Sequence, residues 1–497
     1  MLHQKISALE KRRLQSQPLP TGIAPYTSSS FFKTQSPNSK PKAKRWDHRF
    51  SLDTQKQNAS ILKAAARTED TTRIITLGTG RPASELYPWS SMIMRGKEGS
   101  CGRSEKNLPM SCSAGESAYD LSLALNYGYA AGSPQILRFI TEHVELIHEP
   151  PYDDWECSLT CGTTSAIDAA LRMFCNRGDW VLVEEYTYSG TIAAVKAQGL
   201  NVLGVKMDAR GLVPEDLDVK LRAWNPSKGK KPFVLYTIPS GQNPTGTTQD
   251  TERRKAIYEV AEKHDIYIIE DDPYYFLQLG DNTRDDSSIK TSIDEYVESL
   301  PVSYLSLDVS GRVMRLETTS KILAPGLRCG WMTASSQIVD KFLAHTENST
   351  CFPSGPSQVM LYKLLDETWG HEGFLKWLGQ LSFQYRTRRN ILLDACQRFL
   401  PSDICTWTVP SEGMFLWINL DLRQHPEARL KCSPHDYSAI EDRIFADAKQ
   451  KGVLVSKGSW FAANKHRPYG VSFRLTFAAA AQDDLDEAIE RFGETLQ

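Results

Sequence analysis

The chain has 497 residues, of which 40% are hydrophobic and 10% aromatic, and a formal net charge of −2 at pH 7. A chain of this length and composition can bury large cores, so we expect a soluble protein with at least two domains. The balanced charge argues against nucleic acid or an anionic membrane as the main partner, because such partners favour a basic excess. Small-molecule partners fit this composition better.

The cysteines and the N-terminus bear on metal binding and location. Ten cysteines are scattered without a CxxC pair, and the nearest two, Cys157 and Cys161, have no histidine beside them. We therefore expect reduced thiols and no metal site. Residues 1–17 are polar and lack the apolar core of a secretory signal, which predicts a cytoplasmic protein. A mitochondrial presequence is the alternative.

The first 70 residues differ in composition from the rest of the chain. They are rich in Ser, Pro, Gln and Lys, with a basic cluster at Lys40, Lys42, Lys44 and Arg45. This composition predicts an irregular extension over residues 1–70. The basic cluster fits a solvated surface arm better than a nuclear-import or nucleic-acid patch.

From about residue 155, short apolar runs alternate with helical stretches. This alternation is typical of βαβ units around a mainly parallel sheet. It predicts an α/β fold with a large domain over residues 111–349 and a smaller α/β domain from residues 71–110 and 350–497. The apolar runs lie at Trp180–Val183, Val202–Val205, Phe233–Ile238, Ile266–Ile269, Val313–Leu316 and Cys329–Thr333.

The first candidate binding motif, Cys161–Ser165, opens an apolar helical stretch. Gly162 and the hydroxyls of Thr163 and Thr164 would present backbone N–H groups, hydroxyls and the positive end of the helix dipole to an anion. A phosphate fits such a site. An ordinary N-cap is the alternative.

Two further motifs follow apolar runs of the predicted sheet. Asn243 lies in the turn Pro239–Gly246, while Asp271 and Tyr274 come after the next run along the chain. Ligands of doubly wound sheets bind beyond the carboxyl ends of the strands. An aspartate there can keep a pyridine nitrogen protonated, and a tyrosine can donate to a phenolate oxygen. A structural turn and a solvated acidic loop are the alternatives.

A lysine motif, Thr318-Thr319-Ser320-Lys321, follows the run that ends at Leu316, and Arg328 comes soon after it. A lysine in an enclosed site near other cations can attack an aldehyde and then shuttle protons. Arg328 offers a bidentate fork suited to phosphate. An exposed surface lysine is the alternative.

The last candidate is Arg474, within the alternating run Val471–Phe477. Alternation places the apolar residues on one face of a strand and Arg474 on the other. An inward-facing arginine could clamp a carboxylate with two parallel hydrogen bonds. An ion pair with a structural acid is the alternative.

In this order, the motifs resemble those of fold-type-I pyridoxal-phosphate aminotransferases. The chain is most similar to the fungal aromatic aminotransferases, within the aromatic and 2-aminoadipate (kynurenine aminotransferase II-like) branch, and the resemblance runs from about residue 20 to the end. The stretches that carry it are Leu125–Gly128, Tyr236–Gly246, Glu270–Gln278, and Ser320-Lys321 with Arg328.

The resemblance implies roles in holding pyridoxal 5'-phosphate. Lys321 would bind the aldehyde covalently, Asp271 would pair with the pyridine nitrogen, and the ring would stack on Tyr188. Asn243 and Tyr274 would hold the ring hydroxyl oxygen. The phosphate would be bound by Thr163, Thr164, Thr318, Ser320 and Arg328, with Tyr127 added by the neighbouring subunit of a homodimer.

The resemblance also implies a substrate site. Arg474 would clamp the α-carboxylate, and the other substrate-side residues would be Asn243, Tyr127, Gly80 and Arg81. The family has Leu-Gly-Gly-Gly-Leu-Pro where residues 77–82 read LGTGRP, so Arg81 replaces an apolar residue. We hypothesise that Arg81 favours a substrate with an acidic or polar far end. A second departure puts Thr318-Thr319 where the family has Ser-Phe, but it retains the hydroxyl.

The predicted activity is a reversible ping-pong transamination. An L-amino acid, expected to be aromatic, would give its amino group to the cofactor, and a 2-oxo acid would then accept it. One alternative keeps the cofactor but eliminates at the β-carbon, as a carbon–sulfur lyase does, since the cofactor serves both reactions. A remote alternative is a ligand-sensing regulator, although residues 1–70 show no helix-turn-helix pattern.

Overall fold

The computed structural model describes residues 2–34, 40–61, 77–78, 80–96, 110–117, 119–280, 292–421, 434–464 and 470–496. The chain divides into two compact units. Unit 1 comprises Met1–Asn176, Ser292–Glu298 and Ser303–Trp377, and unit 2 comprises Arg177–Thr291, Ser299–Val302 and Leu378–Gln497. The domain boundaries expected at residues 71, 111 and 350 remain predictions.

The regular elements are numbered in chain order. The α-helices are α1 (Leu2–Gln15), α2 (Leu52–Lys56), α3 (Leu121–Ala124), α4 (Pro134–Ile147), α5 (Thr163–Phe174), α6 (Ser189–Ala197), α7 (Pro214–Arg222), α8 (Thr251–His264), α9 (Ile293–Glu298), α10 (Tyr304–Leu307), α11 (Ser336–Glu347), α12 (Gly355–Leu361), α13 (Gly370–Phe399), α14 (Pro434–Gln450) and α15 (Leu485–Gly493), with a π-helix at Tyr362–Trp369. The strands are β1 (Ser91–Met94), β2 (Met110–Ser113), β3 (Trp155–Thr160), β4 (Trp180–Glu184), β5 (Asn201–Val205), β6 (Met207–Asp208), β7 (Gly211–Leu212), β8 (Val234–Thr237), β9 (Tyr267–Asp271), β10 (Val313–Thr318), β11 (Gly330–Ser335), β12 (Cys405–Trp407), β13 (Phe415–Leu420), β14 (Ser456–Lys457) and β15 (Val471–Thr476).

The N-terminal extension differs from the irregular arm predicted for it, because α1 is a regular helix. Leu2, Ile6 and Leu9 recur at helical spacing, and all three are buried. Arg13 Nε donates to Glu142 Oε1 on α4 at 3.0 Å. The frequent charges of this segment obscured its apolar stripe, which is buried within unit 1 and stabilises the helix.

Unit 1 contains the antiparallel strands β3-β11-β10 in that order. The chain leaves β3 at Thr160 and enters α5 at Thr163. It leaves β10 at Thr318 and returns as β11 from Gly330. The segments that follow β3 and β10 therefore contain the expected phosphate and lysine motifs.

Unit 2 contains the parallel strands β9-β8-β4-β5 in that order, as the alternating pattern predicted. Helix α6 joins β4 to β5, and α8 joins β8 to β9. Strands β4, β8 and β9 are mostly apolar and almost completely buried, which is typical of parallel sheets covered by helices. The carboxyl ends of these three strands precede Tyr188, Asn243 and Tyr274.

A second sheet of unit 2 is antiparallel, with the order β12-β13-β15-β14. It contains the strand predicted at Val471–Phe477, and it pairs Arg474 on β15 with Trp417 on one side and Ser456 on the other. Within the part of the chain that the structure describes, no helix has the length and apolar character needed to cross a membrane.

Candidate active site

In unit 1, the link between β3 and α5 forms an anion cradle. Gly162 has a φ of 86°, and a Cβ there would lie 2.4 Å from Arg328 Nη2, so the guanidinium packs directly on this glycine. The Thr163 hydroxyl oxygen is buried and has no hydrogen-bond partner among the described residues. Free first-turn amides, an orphan hydroxyl and a guanidinium together suit a phosphate.

The lysine loop of unit 1 begins where β10 ends. The hydroxyls of Thr318 and Ser320 lie 2.9 Å apart, and Ser320 N donates to Thr318 Oγ1 at 3.2 Å. Thr319 instead donates its hydroxyl to the Cys329 carbonyl at 2.8 Å, so this departure from the family pattern has a structural use. Lys321 follows directly and is half-buried.

In unit 2, Asp271 ends β9 and is buried. The phenol of Tyr236, on the neighbouring strand β8, donates to Asp271 Oδ2 at 2.5 Å. Burial and the Asp271 charge raise the pKa of Tyr236 well above its ordinary value, so the phenol stays neutral and remains a donor. Asp271 is thus oriented at a strand end by a buried phenol donor.

Arg474 and Asn243 form a second hydrogen-bonded set in unit 2. Arg474 Nη1 donates to Asn243 Oδ1 at 2.8 Å, and Nη2 donates to Ser456 Oγ at 3.2 Å. The guanidinium lies 4.5 Å and 4.8 Å from the ring centroids of Phe415 and Phe461. Among the described residues, the hydrogen-bond partners of Arg474 include no carboxylate, and two aromatic rings flank it, so Arg474 is suited to an anionic ligand.

Two tyrosines flank this set. Tyr274 is buried, and burial together with the Asp271 charge raises the pKa of its phenol. Tyr188 caps α6, and a Cβ at Gly190 would lie 2.5 Å from its ring, so the glycine makes room for the aromatic face. Tyr274 can therefore donate a hydrogen bond, and Tyr188 presents a ring for stacking.

Glu184 and Gln242, which the sequence reasoning missed, tie these segments together. Glu184 Oε1 accepts from Thr237 Oγ1 at 2.6 Å and from the backbone of Ile238 at 2.7 Å. Gln242 Nε2 donates to the Tyr186 carbonyl at 2.6 Å. The sequence did contain one signal for Glu184. An acidic residue at the end of the apolar strand β4 needs buried hydrogen-bond partners.

The remaining predicted residues are exposed or half-buried. Tyr127 is 54% exposed and meets Phe352 edge-on at 6.3 Å between ring centroids. Thr164 and Gly80 are exposed, and no described atom would lie within 4 Å of a Cβ at Gly80. Arg81 is half-buried next to it. Their predicted roles remain predictions.

Gly162→Ala is expected to weaken binding of pyridoxal phosphate roughly ten-fold or more, because the added methyl displaces the Arg328 fork. Fluorescence titration of the apoprotein measures the dissociation constant. Gly178→Ala is the matched control, since Gly178 has a similar φ of 91° but open space around its Cβ. Equal effects in both variants would assign the loss to backbone strain rather than to the cradle.

Three features are those of a class I and II aminotransferase. They are Asp271 at the end of β9, the lysine loop and the anion cradle. The family model described as aminotransferase class I and II matches residues 105–492, and the chain belongs to this family. It has the fold-type-I α/β fold with a mainly parallel sheet that the sequence predicted, and it is an aminotransferase.

Individual relatives agree with this assignment. The chain is 52% identical to the aminotransferase swnA of Arthroderma benhamiae, over 92% of each chain. It is 38% identical to an aromatic amino acid aminotransferase of Schizosaccharomyces pombe, over 90% of this chain and 97% of the relative. The crystal structure of aminotransferase Aro8 from Candida albicans is similar, with a TM-score of 0.84, 36% identity, and coverage of 92% of this chain and 99% of that one. These comparisons do not favour the lyase or regulator alternatives.

Proposed function

We propose that this aminotransferase uses pyridoxal 5'-phosphate to transfer the amino group of an aromatic L-amino acid to a 2-oxo acid. The observation that carries the proposal is the anion cradle, in which Arg328 packs on Gly162 beside the orphan hydroxyl of Thr163. This donor set fits the phosphate of the cofactor. When bound, pyridoxal phosphate supplies an electron sink that makes the α-proton of the amino acid acidic.

One set of residues would hold the phosphate and move the proton. Thr163 Oγ1 and Arg328 would donate to the phosphate oxygens, together with Thr164, Thr318 and Ser320. Lys321 Nζ would hold the cofactor aldehyde. As a neutral amine, Lys321 would also take the α-proton of the amino acid and return it during the transfer.

A second set of residues would hold the ring and the substrate. Asp271, oriented by the Tyr236 phenol, would keep the pyridine nitrogen protonated. Asn243 and Tyr274 would bind the ring oxygen, and Tyr188 would provide the aromatic face on which the ring stacks. Arg474, which lies against two aromatic rings, would bind the α-carboxylate with its two Nη atoms.

The substrate class rests on the relatives. The Schizosaccharomyces pombe relative carries the name aromatic amino acid aminotransferase, and the swnA relative carries no substrate in its name. Phenylalanine, tyrosine or tryptophan is therefore the proposed donor, with 2-oxoglutarate or an aromatic 2-oxo acid as acceptor. We also propose a homodimer in which the exposed Tyr127 reaches the phosphate of the neighbouring subunit.

A single-turnover test examines this function. The purified protein is reconstituted with pyridoxal phosphate and titrated with one amino acid at a time, without an acceptor. An aromatic amino acid is expected to bleach the visible cofactor band and to give stoichiometric 2-oxo acid and pyridoxamine phosphate. Catalytic release of ammonia without an acceptor would instead establish a lyase and overturn the proposal.

Arg81→Leu is expected to lower activity toward acidic substrates selectively. If Arg81 favours an acidic far end, kcat/KM for 2-aminoadipate should fall roughly ten-fold relative to that for phenylalanine. Parallel steady-state assays of both donors measure this ratio. Arg95→Leu removes an exposed arginine from the same region and serves as the control. An unchanged donor profile in the Arg81 variant would disprove the hypothesis.

A further inference from the structure

A buried charged cluster lies beside the cofactor residues of unit 2. It consists of Arg254 on α8, Asp272 after β9, Ser240 in the turn after β8, and Glu412 before β13. All four are buried, and Glu412 is only 5% exposed. None of them has a role in the reaction described above.

Arg254 anchors the turn that carries Asn243. Its Nε donates to the Gln249 carbonyl at 2.7 Å, and its Nη2 donates to Ser240 Oγ at 2.9 Å. Its Nη1 lies 3.8 Å from Asp272 Oδ2. The guanidinium therefore holds both ends of the segment from Ser240 to Gln249 and faces the acid next to Asp271.

The cluster contains one guanidinium for two carboxyl groups. The single proton of the Ser240 hydroxyl is directed at Asp272 Oδ2 at 3.2 Å, although Glu412 is also within its reach. Glu412 Oε2 has no hydrogen-bond partner among the described residues. Two ionised carboxylates would leave an uncompensated buried charge, so Glu412 is the group that holds a proton.

Among the described residues, two other neighbours of this cluster are not seen to bring a cation to Glu412. Gln278 can donate to Glu412 but is neutral. Arg389 on α13 donates instead to the carbonyls of Gly280 and Pro410. Burial and the nearby Asp272 charge raise the pKa of Glu412 to about 7, while Arg254 opposes this rise. The proton is thus lost near neutrality.

A backbone contact links Glu412 to the proposed cofactor residues. Gly413 follows Glu412, and a Cβ built on Gly241 would lie only 2.5 Å from Gly413 Cα. Asn243 is two residues beyond Gly241, and Asp272 is adjacent to Asp271. A charge at Glu412 therefore acts on both segments that hold the ring.

We propose that Glu412 is a positioning residue that must be protonated for the turn carrying Asn243 to bind the cofactor tightly. When the proton leaves to solvent, ionised Glu412 repels Asp272 and draws Arg254 away from Ser240, which loosens the turn. The role rests on the proposed function, because it concerns the binding of pyridoxal phosphate.

The test compares cofactor binding of the wild type and Glu412→Gln across pH. Glutamine is uncharged and similar in shape to the protonated acid, so the ratio of the two dissociation constants cancels the titration of the cofactor itself. Between about pH 6 and about pH 8.5, the wild-type constant is expected to rise about five-fold relative to that of the variant. A pH-independent ratio would overturn the proposal.

Glu441→Gln is the matched control. Glu441 is another buried glutamate of unit 2, and it accepts a hydrogen bond from the backbone of Ser459 at 3.1 Å. This variant is expected to follow the wild-type pH profile of cofactor binding. A shift of that profile equal to the shift in Glu412→Gln would show that any buried glutamate produces it, and would also overturn the proposal.

Thermal unfolding provides a readout that does not depend on the cofactor. Because its folded pKa is raised, Glu412 keeps a proton that the unfolded chain has released, so raising the pH favours unfolding. This loss of folding stability is absent below the ordinary pKa of glutamate. It grows as the pH approaches 7 and is complete at higher pH. Glu412→Gln should therefore gain Tm relative to wild type at alkaline pH and not at acidic pH.

Infrared spectroscopy identifies the proton itself and separates two kinds of failure. At mildly acidic pH, the difference spectrum of the wild-type and Glu412→Gln apoproteins should contain the carbonyl band of one buried carboxylic acid. If neither protein binds pyridoxal phosphate at any pH, the proposed function fails. If both bind it with the same pH profile, or the band is absent, only the role of Glu412 fails.

Discussion

Lys321→Ala should reduce kcat/KM for transamination roughly a thousand-fold or more, the largest effect expected of any single substitution. The variant loses the amine that is proposed to bind the cofactor aldehyde and to move the α-proton, whereas the proposed phosphate ligands Thr163 and Arg328 remain. Steady-state assays with phenylalanine and 2-oxoglutarate measure the loss. The visible band of the covalently bound cofactor should disappear, while fluorescence still reports cofactor binding.

Two controls define this result. Lys341→Ala removes a lysine of α11 that donates to the Gln57 carbonyl, and its activity should match that of the wild type. An added primary amine should restore part of the proton-transfer activity of Lys321→Ala, because it replaces the missing base. Near-normal activity and an unchanged spectrum in Lys321→Ala would exclude this lysine as the catalytic group.

Arg474→Gln should lower kcat/KM roughly a hundred-fold, mainly through a higher KM for amino acids. Glutamine can still contact Asn243 and Ser456 but cannot form two charge-assisted hydrogen bonds to a carboxylate. Substrate choice gives a sharper readout. Wild type should prefer tyrosine strongly over tyramine, which lacks the carboxylate, and the variant should lose most of that preference.

The control for Arg474 is Arg491→Gln, which removes an exposed ion pair with Glu487 on α15 and should leave the kinetics unchanged. Cofactor affinity should be similar in both variants, because Arg474 is assigned to the substrate. If Arg474→Gln kept the wild-type preference for tyrosine over tyramine, the assignment of the carboxylate clamp would be wrong.

The strand-end residues were predictable because they depend on local pattern. Runs of β-branched and apolar residues marked β8 and β9, and the polar residues in the segment after such a run lie at the edge of a parallel sheet where ligands bind. This reasoning selected Asn243 and Asp271 correctly as strand-end groups. The alternation around Arg474 likewise predicted its strand.

The residues that hold those groups in place were not predictable in the same way. Tyr236 is an ordinary strand tyrosine until β8 and β9 pair and bring its phenol to Asp271. Glu412 lies 140 residues from Asp272 in sequence, and nothing in its own segment marks it as buried. The helix α1 was missed because its apolar stripe is interrupted by charges that pair with α4.

The sequence by itself determined the family, the α/β alternation and the types of residue available at the strand ends, since these depend on composition and spacing along the chain. Only the tertiary structure decided that Arg328 packs on Gly162, that Arg474 meets Asn243, and that Glu412 shares Arg254 with Asp272. The physical reason is that hydrogen bonds and desolvation depend on distance in space, and burial makes an acid far from any sequence motif costly to ionise.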